Sequence, residues 1–361
     1  MEKSISNSPG VLCALCVSKM LKVLYSYRKA VILLCAAIFA GTNVFAVEDA
    51  PYVSVYVTSW TDDVPDVSRV SCINYAFGHV SESFDSVRID NEERLRQLLE
   101  LKKSHRNLKV VLSIGGWGSG GFSEMAADAL KRRAFAWDCR RLIWDMGIDG
   151  IDIDWEYPTQ DESGIMASPD DIDNLTKLLK EIRIAIGPKR TVSVAVIAGA
   201  KYVNFSDVDK YVDYYNVMTY DMGEPPYHNS PLYPSGHVRD ISASEAIAKF
   251  LSAGVPKSKI VMGIPFYGRG AENFQESVKN TDAHLLNNYF YNWDEESKVP
   301  YLTDKAGKFM YSYDDTASIR YKGQFIKEQG IKGAMCWPNS GDDEEGTLLE
   351  AVYNALAGSS R

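Results

Sequence analysis

From Pro51 onward the chain repeats one pattern, a strand-length apolar run followed by polar turns and a helical stretch. Runs rich in Val, Ile and Tyr fall at about 52–58, 71–78, 108–115, 149–156, 191–197, 213–220, 259–266 and 331–337. Near-continuous hydrophobicity of this kind is what a strand needs when both of its faces are buried. Amphipathic helical patterns lie between these runs at 91–104, 122–146, 170–187 and 243–253, and Asp314 to Gln329 also reads as helix. Eight strands alternating with helices predict an α/β fold, the (β/α)8 barrel. A doubly wound open sheet competes, but it usually carries a Gly-rich phosphate turn after its first strand, and Val57-Thr58-Ser59-Trp60 is no such turn. No solenoid period or low-complexity linker interrupts the pattern. One domain over 47–361 is expected, with a short insertion at about 271–313 on the barrel rim, where loops build active sites.

Ahead of the repeats, the order is a basic stretch with Lys22, Arg28 and Lys29, an apolar run from Ala30 to Ala40, and Asn43-Val44-Phe45-Ala46. That order reads as an export signal, residues 1–46, cleaved after Ala46, which implies a secreted or periplasmic protein. The apolar run is about half of the roughly 20 residues that cross a bilayer, so no permanent transmembrane anchor is expected. Leu33-Leu34 before Cys35 disfavours lipid attachment there. Cleavage would leave Cys72, Cys139 and Cys336, an odd number in apolar contexts, which points to buried thiols rather than a disulfide framework. A net charge of −9 without a concentrated basic surface excludes nucleic acid as the main partner.

The chemistry is concentrated in Asp149-Gly150-Ile151-Asp152-Ile153-Asp154-Trp155-Glu156-Tyr157-Pro158. Side chains alternate along a strand, so Asp152, Asp154 and Glu156 share one side while Ile151, Ile153 and Trp155 take the other. The apolar set suits the helix layer, which turns the three acids into the barrel, with Glu156 nearest the open C-terminal mouth. Carboxylates so close cannot all ionise cheaply. Repulsion and burial both raise a pKa, and a Glu kept protonated near neutral pH can give a proton to a departing glycosidic oxygen. Two other readings compete. A buried acid cluster can be purely structural, and three carboxylate oxygens can hold a hard divalent ion. The five His (His79, His105, His228, His237, His284) form no ligand-spaced pair, so neither a metal nor any other cofactor is expected.

The run Asp149 to Pro158 resembles the DGxDxDxE signature of family 18 glycoside hydrolases, the chitinase family. Ser113-Ile114-Gly115-Gly116-Trp117 is similar to that family's strand-three SxGG motif, Met218-Thr219-Tyr220-Asp221 to its MxYD motif, and Gly263 to Arg269 to its strand-seven segment. Trp337 corresponds to the tryptophan ending strand eight. The motifs fall in family order over about 52–356, each at the end of a strand read independently from hydrophobicity.

The resemblance implies retaining, substrate-assisted hydrolysis, in which no protein carboxylate attacks the sugar. Glu156 would protonate the leaving oxygen and later act as base on water, while the substrate's own acetamido oxygen attacks the anomeric carbon. Asp154 would hold the acetamido N–H, Asp152 would share a proton beneath it, and Tyr220 would orient the acetamido carbonyl. Trp337 is the expected floor of the cleavage subsite, with Trp117, Tyr56, Phe77 and Tyr267 around it and polar contacts from Asp221 and Arg269.

The sequence departs from many relatives at Pro338-Asn339-Ser340, where an acidic residue commonly follows the strand-eight Trp, and in the shorter rim insertion, which predicts a shallower groove. No carbohydrate-binding module is expected after Ala357. The expected partner is an oligo- or polysaccharide containing N-acetylglucosamine, bound by a monomer. Cleavage of the chitobiose core of N-glycans or of wall glycan uses the same motifs, as does a non-catalytic chitinase-like lectin, although Glu156 stands here where lectins usually lose the acid.

Overall fold

The computed structural model describes residues 50–271 and 288–358, so the expected export region and part of the expected rim insertion lie outside the described residues. In chain order the strands are β1 (Tyr52–Thr58), β2 (Cys72–Val80), β3 (Val87–Ile89), β4 (Lys109–Gly115), β5 (Gly150–Asp154), β6 (Thr191–Ile197), β7 (Tyr214–Met218), β8 (Ile260–Pro265), β9 (Arg269–Gly270), β10 (Phe290–Asp294), β11 (Val299–Thr303), β12 (Phe309–Ser312) and β13 (Gly333–Trp337). The helices are α1 (Glu92–Glu100), α2 (Phe122–Ala127), α3 (Ala129–Met146), α4 (Asp171–Ile186), α5 (Phe205–Val208), α6 (Ala243–Ser252), α7 (Thr316–Gln329) and α8 (Thr347–Ala357). Among them, no helix is long and apolar enough to cross a membrane.

The order β1-β13-β8-β7-β6-β5-β4-β2 is parallel throughout, and β1 also pairs with β2, which closes the barrel. The fold is the (β/α)8 barrel that the hydrophobic pattern predicts. Period-two alternation sorts each strand into two environments. Val53, Val55 and Val57 of β1 and Ile151 and Ile153 of β5 pack outward into one large apolar layer with the helices. Tyr56, Ala76, Ala195, Met218, Val261 and Met335 point inward and fill the barrel. Register then sets the polar neighbours: Ser113 on β4 and Ser193 on β6 both pair with Asp152 on β5.

The helical stretch read as continuous over 122–146 is broken at Asp128, whose backbone is extended (φ −92°, ψ 124°). Its carboxylate accepts from the N–H groups of Leu130 (2.7 Å) and Lys131 (3.1 Å), so a good N-cap residue starts a new helix inside the amphipathic pattern. The rim carries a four-stranded antiparallel sheet in the order β10-β11-β12-β9. It recruits Arg269 and Gly270 directly after β8, two residues earlier than the insertion was expected to begin. Cys72, Cys139 and Cys336 are free and buried.

Candidate active site

Strand β5 ends at Asp154, so Glu156 stands two residues beyond it rather than on it. The alternation nevertheless persists. Trp155 turns outward and stacks on Phe122 of α2 (5.3 Å, 13°), while Glu156 faces the mouth of the barrel. The Glu156–Tyr157 peptide is cis. Asp149, the first acid of the run, lies at the other end of the strand and is structural, accepting from the Val110 N–H (2.8 Å) and pairing with Lys102 (2.6 Å).

Asp152 is fully buried and saturated with donors. One oxygen accepts from the Tyr56 hydroxyl (2.8 Å) and Ser113 (2.7 Å), the other from Ser193 (2.6 Å) and Asn216 (3.2 Å). Burial pushes its pKa up and the four donors oppose that shift without cancelling it. All four lone-pair positions of Asp152 therefore face a polar partner.

Asp154 contrasts with it. Its Oδ1 is buried without a hydrogen-bond partner, and burial, then Glu156, then Asp152 hold its pKa well above the usual carboxylate range. Glu156 is pushed up to about 7, chiefly by burial, with Asp221 adding repulsion and the Tyr157 side chain opposing the shift.

These acids open into a cleft of about 580 Å³. It brings together Tyr56, Phe77, Trp117, Tyr220, Asp221, Arg269 and Trp337 from the sequence-predicted set. The Trp337 ring is wedged between Tyr56 (5.7 Å, 76°) and Phe77 (5.7 Å, 34°), which fixes its plane across the floor. Tyr56 is almost fully buried, and its hydroxyl is spent on Asp152. Tyr220, also buried, directs its hydroxyl to Met335 Sδ at 3.7 Å, a weak acceptor that is readily exchanged for a ligand oxygen.

Tyr267 reaches the site through its neighbours. Its ring packs edge-on against Tyr220 (6.1 Å, 77°) and its hydroxyl donates to Asp221, behind two residues that line the cleft. Arg269 grips the same carboxylate oxygen through Nη2 (2.6 Å) and Nε (3.0 Å). The two residues set the position of Asp221, whose backbone is left-handed (φ 57°).

Sequence reasoning missed the residue that stabilises this turn. Asn229 is buried, and its side-chain oxygen accepts the Asp221 N–H (2.9 Å) while its own N–H donates to Ser312 of β12 (2.8 Å). Nothing in its local sequence reports that contact. Tyr157 and Glu162, which also line the cleft, were legible only as neighbours of the acid motif.

The glycines of Ser113-Ile114-Gly115-Gly116-Trp117 now have a physical reason. A Cβ on Gly115 (φ 130°) would lie 1.9 Å from the Asp154 carbonyl oxygen, and one on Gly116 would lie 2.8 Å from the Phe77 ring. Gly116 N–H instead donates to that carbonyl (2.9 Å), clamping β4 to the end of β5 beneath the acids.

A closed parallel barrel with a raised-pKa Glu and a tryptophan floor at its C-terminal mouth defines a barrel of the glycoside-hydrolase class. The family model of glycosyl hydrolases family 18 matches residues 52–342, and the chain belongs to that family. It is similar to Chitinase A1 of Niallia circulans, 33% identical over 299 residues that cover 69% of this chain and 42% of that protein. The chain spans about half the length of curated relatives it matches, 42%, 50% and 55% of three of them. Among solved structures, a family 18 N-acetylglucosaminidase from Paenibacillus barengoltzii superposes with a TM-score of 0.77 at 35% identity, covering 85% of this chain and all of that one. A Group IV chitinase of Ostrinia furnacalis in complex with allosamidin superposes at 0.76 with 26% identity, covering 86% of this chain and 100% of that one.

Proposed function

We propose that this chain hydrolyses β-1,4 glycosidic bonds next to N-acetylglucosamine, in chitin or its oligosaccharides, by a retaining, substrate-assisted route. The observation that carries the reading is the unlike pair at the barrel mouth. The pKa of Glu156 is pushed up to about 7, so it holds a transferable proton at neutral pH, while Asp154 lines the same cleft and keeps a buried Oδ1 with no hydrogen-bond partner. A sugar stacked on Trp337 presents its glycosidic oxygen to Glu156 and its acetamido N–H to Asp154. Tyr220 exchanges the Met335 sulfur for the acetamido carbonyl, turning that oxygen toward the anomeric carbon. As the bond to the leaving sugar breaks, the carbonyl oxygen closes on the anomeric carbon, and positive charge spreads over the acetamido group beside Asp154. Glu156, now ionised, takes a proton from the water that opens this intermediate, and the configuration is retained. Asp152, anchored by four polar partners beneath Asp154 and with its own pKa raised by burial, shares a proton with it.

The relatives' names support the substrate class, since they include chitinases and an N-acetylglucosaminidase. Read with the basic-apolar-small order of residues 20–46, the protein acts outside the cytoplasm as a monomeric catalytic barrel over 47–361.

Glu156→Gln is the test. The amide keeps the shape of the carboxyl but cannot give up a proton well enough, so turnover of a chromogenic chitobioside should vanish while chitooligosaccharide binding persists. Undiminished hydrolysis by the variant would sink the assignment. Wild type that binds and releases nothing at any pH would identify a lectin. Products from soluble chitin oligomers, crystalline chitin, a high-mannose glycopeptide and peptidoglycan distinguish the substrate readings, and release of single sugars separates exo from endo action.

A further inference from the structure

Helix α3 turns a row of large apolar side chains to solvent on the flank of the barrel. Leu130, Trp137 and Trp144 are 76%, 55% and 68% exposed. Each follows the last by seven residues, about 10.5 Å of rise, so the three lie along one line of the helix surface. Arg133 and Arg140 repeat at the same interval beside them. The Arg140 guanidinium lies 5.3 Å from the Trp137 ring centre and 5.8 Å from that of Trp144, so one cation joins the two indoles. Its Nη1 also donates to the Ala185 carbonyl of α4 (2.9 Å), which brings the exposed Ile184 into the same face. Lys177 and Lys180 precede Ile184 on one exposed stripe of α4. A cluster of exposed indoles and aliphatic side chains marks an interaction surface.

The charge of this face selects its partner. The two acids of α3, Asp138 (2.6 Å) and Asp145 (3.3 Å), are both taken by Arg141, and neither Arg133 nor Arg140 has a carboxylate partner among the described residues. Across α3 and α4 basic residues outnumber acidic ones by eight to five, in a chain whose net charge is −9. Screening over about 8 Å at physiological ionic strength lets the local excess act in place of the distant total. A second copy docked about a two-fold axis would set these arginines against one another, and a neutral polysaccharide would leave their charge uncompensated. An anionic lipid surface suits both kinds of side chain. Indoles favour the boundary between headgroups and acyl chains, and arginines lay their stems along the apolar layer while the guanidinium meets phosphate.

We propose that the α3–α4 flank is a peripheral docking surface for an anionic phospholipid bilayer. Helix α3 returns from the C-terminal end of β4 to the start of β5, so its axis runs along the side of the barrel. Docking through that side lays the barrel flat on the membrane and leaves its mouth open to substrate. The inference is independent of the glycosidase reading, because the face belongs to the outer helix layer and the acids to the barrel mouth.

The test is co-sedimentation of the full chain with vesicles of phosphatidylglycerol and phosphatidylcholine in about equal parts, set against vesicles of phosphatidylcholine alone. Wild type should favour the anionic vesicles, and added salt should release it. Arg133→Glu with Arg140→Glu, or Trp137→Ser with Trp144→Ser, should weaken this binding at least about tenfold. The thermal midpoint and the rate on a soluble chromogenic chitobioside should stay at wild-type values. Brominated lipid in the anionic vesicles reads the rings directly, whatever else in the chain holds it to lipid. It should quench a larger fraction of tryptophan fluorescence in wild type than in either double variant. Equal fractional quenching overturns the proposal. So does a loss of binding confined to crystalline chitin, which would make the face a polysaccharide contact, or to a concentration-dependent dimer, which would make it a self-interface. The arginine pair decides the matter if the tryptophan pair does not fold.

Discussion

Glu156 carries a cost as well as a function, and the two separate with pH. Its pKa rises from 4.5 in the unfolded chain to about 7 in the folded protein. Between those values the folded state holds the extra proton, so stability declines as pH rises through the window, and the penalty is complete above about 7. Glu156→Gln removes a group that opposes folding. The variant should therefore be more stable than wild type by about 3 kcal/mol at pH 8 and equal to it near pH 4, measured by urea unfolding at both pH values. The same proton governs rate: wild-type kcat should fall as pH rises past about 7. A variant that gains nothing at pH 8 would show that Glu156 is not desolvated. The acids themselves were legible because alternation along a strand is a property of the chain. That Asp152 is saturated by Tyr56, Ser113, Ser193 and Asn216 was not, because those donors come from four other strands.

At the scale of elements, the junction of β4 with β5 leaves no room for a side chain. Gly115 pairs with Asp154 in the ladder, and any side chain there would overlap the carbonyl that receives the Gly116 N–H. Gly115→Ala should displace the end of β5 and with it Asp154 and Glu156. The expected result is loss of soluble folded protein, or a kcat reduced at least about a hundredfold in whatever folds. Wild-type kcat in a soluble Gly115→Ala protein would show that the strands can separate without moving the acids. Hydrophobic period located the strands to within a few residues, whereas the break between α2 and α3 at Asp128 was hidden because an apolar stripe continues across a cap.

Across the whole molecule, the turn holding Tyr220 and Asp221 is braced from elements distant in sequence. Lys322 of α7, fully buried, bonds Asp314 (2.7 Å) and Ser230 (2.7 Å), and Ser230 donates to the Thr219 carbonyl (2.5 Å). Removing one member of a buried ion pair typically costs about 3–5 kcal/mol, because the remaining charge loses its counterion. Lys322→Met should lower stability by about that amount at pH 7. The deficit should shrink toward acidic pH as Asp314, whose pKa burial already raises, takes up a proton. Thermal unfolding across pH checks both statements, and a deficit constant with pH would rule out Asp314 as its source.

Strand number, barrel closure, the inward side of Asp152, Asp154 and Glu156 and the family motifs were determined by the sequence alone. Each follows from local periodicity or from residue order, which the chain carries before it folds. Tertiary structure decided what those residues meet. It set the Tyr267 hydroxyl on Asp221, brought Asn229 under the Asp221 turn, surrounded Asp152 with four polar partners, and joined His79 to Ser119 and Asp90 beyond Trp117. Such contacts depend on register between strands and on the paths of loops between them. Register is settled by packing the whole barrel at once, so no single segment encodes it.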